Sequence, residues 1–232
     1  MHLHAVNLAL ARLRGGREKG VTVETKEPAI KHTALLRSQH GFSMVEMLVA
    51  VAITFVIAAV AVVQLTPGLE NFRASSAEGE VKTTLRQARE YAITQRRTVA
   101  ISFTKDASGN AEINANEYNV SFGTQTLNNT PFLQVILQPT VQFMLNNSLP
   151  DTPDGFGNSS ALCFNGSAYA TGTVLEFQSD GTFTDVTGTP INGSIFVGIP
   201  QYPTTERAVT ILGATGRIKG WSGAAQGSWF EQ

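Results

Sequence analysis

From Met47 to Val63, seventeen consecutive residues carry a single polar side chain, Thr54. A helix needs about 20 apolar residues to cross a hydrocarbon core, and extension to Leu65 nearly completes that span. Pro67-Gly68 then interrupts the run, so a kink or pause is expected there. Between Glu70 and Arg97 the pattern turns amphipathic. Val81, Leu85, Ala88, Ala92 and the adjacent Ile93 recur at helical spacing, and Lys82, Arg86, Arg89, Glu90 and Arg96 are expected to face away. Leu85, Ala88 and Ala92 make the stripe expected to lie on a sheet.

At "RRTVAISF", Arg96 to Phe103, the period changes to two, with Val99, Ile101 and Phe103 on one side, the mark of a half-buried strand. Further strands are predicted at 117–123, 132–137, 141–145, 161–164, 174–178, 182–186, 194–199, 208–212 and 217–221. Two hairpins are legible: "LEFQSDGTFTD" turns at Asp180-Gly181, and "RAVTILGATGRIKGW" turns between Gly213 and Gly216. Asn146 to Ser160, with Pro150 and Pro153, reads as a long polar loop and the expected place of variable surface or disorder. The predicted fold class is α+β: one long amino-terminal helix packed on a β-rich carboxy-terminal domain.

Composition adds constraints. Residues 1–41 hold seven Lys/Arg against three Asp/Glu, leaving ten against fifteen in 42–232, so a +4 segment precedes a −5 body. The positive-inside rule then places 1–41 in the cytoplasm and everything after Gln64 across the membrane. An acidic body argues against a general nucleic-acid binder, whose affinity comes mainly from neutralised phosphates. Cys163 is the only cysteine, so neither an intrachain disulfide nor a cysteine-based zinc site can form within one chain, and "ALCF" reads as core. All four histidines, at 2, 4, 32 and 40, precede the apolar run. If that segment is removed, histidine triads and histidine metal sites go with it.

Glu46 stands at the mouth of the apolar run. An ordinary signal peptide, cut near Ala59-Val60-Ala61, or a plain anchor would leave this carboxylate unexplained, since it costs a few kcal/mol if it enters the bilayer unpaired. Gly41-Phe42-Ser43-Met44-Val45-Glu46 resembles the class III signal of type IV pilins and type II secretion pseudopilins. The resemblance implies a prepilin peptidase that cuts between Gly41 and Phe42 and methylates the new amine of Phe42. It also implies that Glu46 meets the amine of a neighbouring subunit during filament assembly. The domains expected are a cleaved cytoplasmic leader (1–41, long for the family), a transmembrane and filament-core helix (42–66), its amphipathic continuation (67–97) and a β-rich periplasmic domain (98–232).

The helix-to-strand junction "AREYAITQRRTVAISF", the hairpin "LEFQSDGTFTD" and the closing "TILGATGRIKGW" are similar to the GspH/FimT group of minor pseudopilins and minor pilins. That resemblance, over residues 41–221, implies a non-enzymatic inner-membrane subunit, single-pass, with other pilins and secreted cargo as partners and no cofactor. DNA-uptake members of the group carry Gly-Arg-x-Arg in a surface loop. Gly216-Arg217-Ile218-Lys219 is similar, with Lys giving up the bidentate fork, so Arg217, Lys219, Arg96 and Arg97 are candidate DNA contacts. Hydrolytic chemistry finds no support. Asp151, Asp154, Asp180 and Asp185 occupy turn-rich segments where Asp serves the backbone, and "DTPDGFGN" lacks the alternating ligands and distal Glu of a calcium loop.

Overall fold

The computed structural model describes residues 41–121, 124–146, 149–223 and 227–232; the expected leader, up to His40, lies outside them. The chain divides into two compact units, 1–47 and 48–232. Helix α1 (Met44–Gln95) is one uninterrupted element through Pro67, so the expected pause is absent. Proline removes one backbone donor, and local side chains serve neighbouring carbonyls instead. Thr66 Oγ1 donates to the Val62 carbonyl at 3.2 Å and Asn71 Nδ2 to that of Pro67 at 3.1 Å.

The strands are β1 (Val99–Lys105), β2 (Ala111–Ser121), β3 (Thr124–Leu127), β4 (Leu133–Ile136), β5 (Gln142–Phe143), β6 (Leu162–Phe164) and β7 (Ser167–Ala168). They continue with β8 (Val174–Phe177), β9 (Phe183–Thr184), β10 (Gly193–Ile199), β11 (Tyr202–Leu212), β12 (Arg217–Gly223) and β13 (Trp229–Glu231). One sheet has the order β3-β2-β1-β8-β9, with β4 also on β2; the other runs β13-β12-β11-β10-β6-β7, with β5 also on β10. The pairings are antiparallel, as expected of strands joined by tight turns.

The predicted stripe is the helix's buried face. Val81, Leu85, Ala88 and Ala92, joined by Ala77, share one core with Ile101, Phe103, Ile113, Leu175 and Phe177 of the first sheet and Ile195, Val209 and Ile211 of the second. Burying a leucine such as Leu85 contributes about 1.5–3 kcal/mol, whereas the alanines set a close approach. The Phe164 ring of the second sheet lies with its centroid 6.2 Å from that of Phe103 and 6.0 Å from that of Phe183, both of the first, carrying the core from one sheet to the other. Ile93 is 39% exposed and is not part of that core.

Of the cations expected to face away, Arg86 is exposed, whereas Lys82 and Arg89 are partly buried. Lys82 pairs with the buried Glu78 at 3.1 Å, and Glu78 also lies 4.0 Å from the buried Arg207 of β11. Arg86 and Arg89 reach backbone carbonyls of the β-domain. The period showed a polar side but not that long side chains can bend back across it. The helix also runs to Gln95, so β1 starts at Val99 rather than Arg96. Arg97 N donates to Ala92 O and Arg96 N to Ile93 O, with Arg96 at φ 51°, a left-handed helix terminus built on Arg instead of Gly.

Both hairpins form as expected. β8 and β9 are joined through Gly181 at φ 84°, and β11 and β12 pair with Leu212 opposite Arg217. Cys163 is buried and free. The described part of the 146–160 loop is tied down rather than loose. Leu149 is buried, Asp151 accepts from the Thr152 and Gly157 amides, and Asp154 accepts from Thr210 Oγ1 at 2.6 Å. Strands β3, β7 and β13 lie outside the predicted set. β3 and β7 are polar or small and β13 has three residues, so alternation carried no signal there.

Candidate functional site

The amino-terminal element is built by a cap. Ser43 precedes α1, its carbonyl accepts the Met47 N–H at 3.1 Å, and its hydroxyl lies 3.4 Å from the Val45 N–H. Ser43-x-x-Glu46 is thus the Ser-x-x-Glu signature of a helix start, a local signal that the sequence reading passed over. Glu46 falls in the first turn, where the helix dipole favours a negative charge. Its side chain is exposed and makes no hydrogen bond or ion pair among the described residues. Gly41 lies before the helix, and a Cβ there would meet nothing within 4 Å. No contact within the described chain requires glycine at that position.

Beyond Glu46 the side chains from Met47 to Leu65 are exposed on every side of the helix, among them Phe55 at 71% and Val63 at 73%. The most apolar stretch of α1 has a mean hydropathy of 2.7 with none of it buried, long and apolar enough to cross a membrane. An apolar surface without a stripe is that of a segment whose solvent is lipid or other helices.

The four cations suggested as DNA contacts fall into two places. Arg217 and Lys219 stand two apart on β12. Arg217 lies 3.2 Å from the Asp154 carboxylate; Lys219 lies 3.0 Å from that of Glu231 and 5.2 Å over the Trp221 ring. Arg96 and Arg97 line a different, polar groove of about 430 Å³ with Thr98, Tyr118, Asn119 and Gln125, and Arg97 faces Glu117 at 3.8 Å. Arg217 instead borders a groove of about 540 Å³ with Arg86 and Arg89.

The glycine of Gly216-Arg217-Ile218-Lys219 has an intramolecular reason. It sits at φ 61°, and a Cβ would lie 2.1 Å from the Gly181 carbonyl. This close approach brings the two hairpin turns together under Arg89, whose Nε donates to Gly181 O at 3.0 Å and whose second nitrogen donates to Thr215 O at 2.9 Å. Asp154 in turn links Arg217 to Thr210, whose hydroxyl accepts from the Trp221 indole. The motif is woven into the packing of the second sheet.

Residues 36–62 match the family model described as the prokaryotic N-terminal methylation motif. No curated protein matches the chain. Among solved structures the chain is similar to the type IV minor pilin FimU of Pseudomonas aeruginosa (strain PAO1), at 19% identity over 63% of this chain and 90% of that one, with a TM-score of 0.39. It is also similar to the minor pseudopilin EpsH from the Type 2 Secretion System of Vibrio cholerae, at 14% identity over 65% and 96%, with a TM-score of 0.36.

Proposed function

We propose that the chain is a minor pilin or minor pseudopilin, a non-enzymatic structural subunit of a type IV pilus or a type II secretion pseudopilus. The observation that carries this reading is the methylation motif over 36–62, laid directly on a helix whose apolar surface is left uncovered by the described residues. On this reading a prepilin peptidase cuts after Gly41 and methylates Phe42. The helix from Phe42 holds the subunit in the inner membrane and then packs in the filament core. The β-rich domain stands in the periplasm, facing other pilins and secreted cargo.

Glu46 supplies the assembly step. An unpaired carboxylate at the edge of a bilayer is costly, and a neighbouring subunit's amino terminus relieves that cost, so pairing draws the subunit into the filament. Gly41 belongs to this reading for the same reason: the described fold does not need it, whereas a narrow protease subsite does. Substitution of Gly41 by Leu in the producing cell tests the reading. The full-length precursor should accumulate, and normal processing would count against it.

DNA uptake is the weaker reading. Arg217 and Lys219 each face a carboxylate, which lowers the positive potential a phosphate chain would meet. Duplex DNA titrated at several salt concentrations separates the two. Salt-dependent binding lost in an Arg217/Lys219 double alanine variant would favour uptake, and its absence favours the structural role.

A further inference from the structure

Three arginines converge on one groove between the helix and the second sheet. Arg86 and Arg89 stand one turn apart on α1, and Arg217 opens β12 on the other side. With Glu90, Ile93 and Ile218 they border a space of about 540 Å³.

Arg89 is the fixed point of this groove. Its Nε donates to Gly181 O at 3.0 Å and its Nη2 to Thr215 O at 2.9 Å. These carbonyls hold the guanidinium in place without neutralising it, and further N–H groups of its five are left to donate. Arg86 is exposed, and its hydrogen bond to Ile218 O is long, at 3.4 Å. Of the three, Arg217 alone meets a carboxylate among the described residues, that of Asp154 at 3.2 Å, which also accepts from Thr210. Three guanidiniums against Glu90 and Asp154 leave a surplus of one positive charge, within a body whose net charge is −5.

Converging guanidiniums call for an oxyanion, whose paired oxygens match their planar forks. Its possible sources differ in fit. A lipid headgroup is out of reach, because α1 runs about 30 Å from Leu65, the end of the apolar run, to Arg86 at about 1.5 Å per residue. A nucleic acid gains affinity by neutralising several phosphates along a track, whereas these cations crowd one groove of an acidic body. The apolar lining decides for a peptide. Ile93 lies outside the core and is 39% exposed beside the cations. A carboxylate with an aliphatic neighbour covers both the charge and the isoleucine, and a phosphate chain leaves the isoleucine facing water.

We propose that this groove docks an acidic, aliphatic peptide segment of a partner protein, with its carboxylate held by Arg86 and Arg89 and its aliphatic side chain against Ile93. The proposal is independent of how the amino terminus is processed. Its test is fluorescence anisotropy of a rhodamine-labelled Asp-Leu-Glu-Leu-Asp amide titrated with the full-length protein in dodecyl maltoside, a non-ionic detergent, beside an equally labelled short duplex DNA. Binding of the peptide is expected, weaker at high salt than at low. It should fall by at least about tenfold in Arg86→Gln, an exposed position whose change leaves the core intact. Ile93→Ser should weaken it and leave its salt dependence unchanged. Lys105→Gln, which removes the same charge from the exposed end of β1, should leave it unaltered. No binding at low salt, binding undiminished in Arg86→Gln, or duplex DNA bound more tightly than the peptide through Arg86 would overturn the proposal.

Discussion

Glu206 lies on β11 with 1% of its surface exposed, and both carboxylate oxygens sit 3.0 Å from the Asn146 amide. Burial pushes its carboxyl up from the ordinary 4.5 to about 7, with the Asn146 hydrogen bond opposing. Between those two values the native state keeps a proton that the unfolded chain has released, so this site's stabilisation is complete below pH about 4.5 and is lost as the pH rises through about 7. At 1.36 kcal/mol per pH unit the gap corresponds to about 3 kcal/mol. Glu206→Gln, which cannot ionise, should therefore gain on the native protein by about that amount between pH 4.5 and 8. Asp106, Asp180 and Asp185, held below their usual range by hydrogen bonds, act at more acid pH and cancel in the difference. Urea denaturation of both proteins in one detergent from pH 4 to 8, followed by tryptophan fluorescence, reads it out. A difference that stays flat across that window, or grows in favour of the native protein as the pH rises, would refute the reasoning.

Four further substitutions have outcomes set by the same geometry. Arg96→Gly should stabilise the protein by about 1 kcal/mol in thermal denaturation, because glycine adopts the left-handed helix terminus without the Cβ penalty. Gly216→Ala should destabilise by roughly 3 kcal/mol, since it combines a disfavoured φ with a clash against the Gly181 carbonyl, and Arg217→Ala by less than about 1 kcal/mol, because its ion pair is half exposed; comparison of their unfolding midpoints separates the two. Glu46→Ala should leave cleavage after Gly41 intact while lowering incorporation into filaments, measured by pelleting and immunoblot, and wild-type incorporation would remove its pairing role.

The fold was legible wherever burial enforced a period. Leu85, Ala88 and Ala92 recur at helical spacing because one face meets the core, and Val99, Ile101 and Phe103 alternate because one side of β1 does. The hairpin turns announced themselves through Gly181 and Gly216, whose backbone conformations few other residues adopt. What remained hidden depends on partners distant in sequence. Arg89 looks like a solvent-facing cation until Gly181 and Thr215 are brought beneath it. The helix terminus at Arg96 was missed because the residue type gives no sign of a left-handed turn. Pro67 misled in the other direction, since one proline does not stop a helix this long. Of the candidate site, the amino-terminal half is linear in sequence, from Gly41 to Glu46, and lies within the matched methylation motif. The basic half is not: similarity of Gly216-Arg217-Ile218-Lys219 to a binding motif carries no information about Asp154 and Glu231, which face its two cations.

A pilin subunit is defined by what happens at the junction of Gly41 and Phe42. Mass spectrometry of the amino-terminal peptide, taken from the protein as its own cell produces it, tests this most directly. The expected product is a mature chain that begins at Phe42 with a methylated amine and retains the whole apolar helix. An unprocessed amino terminus, or one beginning beyond Ala61 with that helix removed, would contradict it.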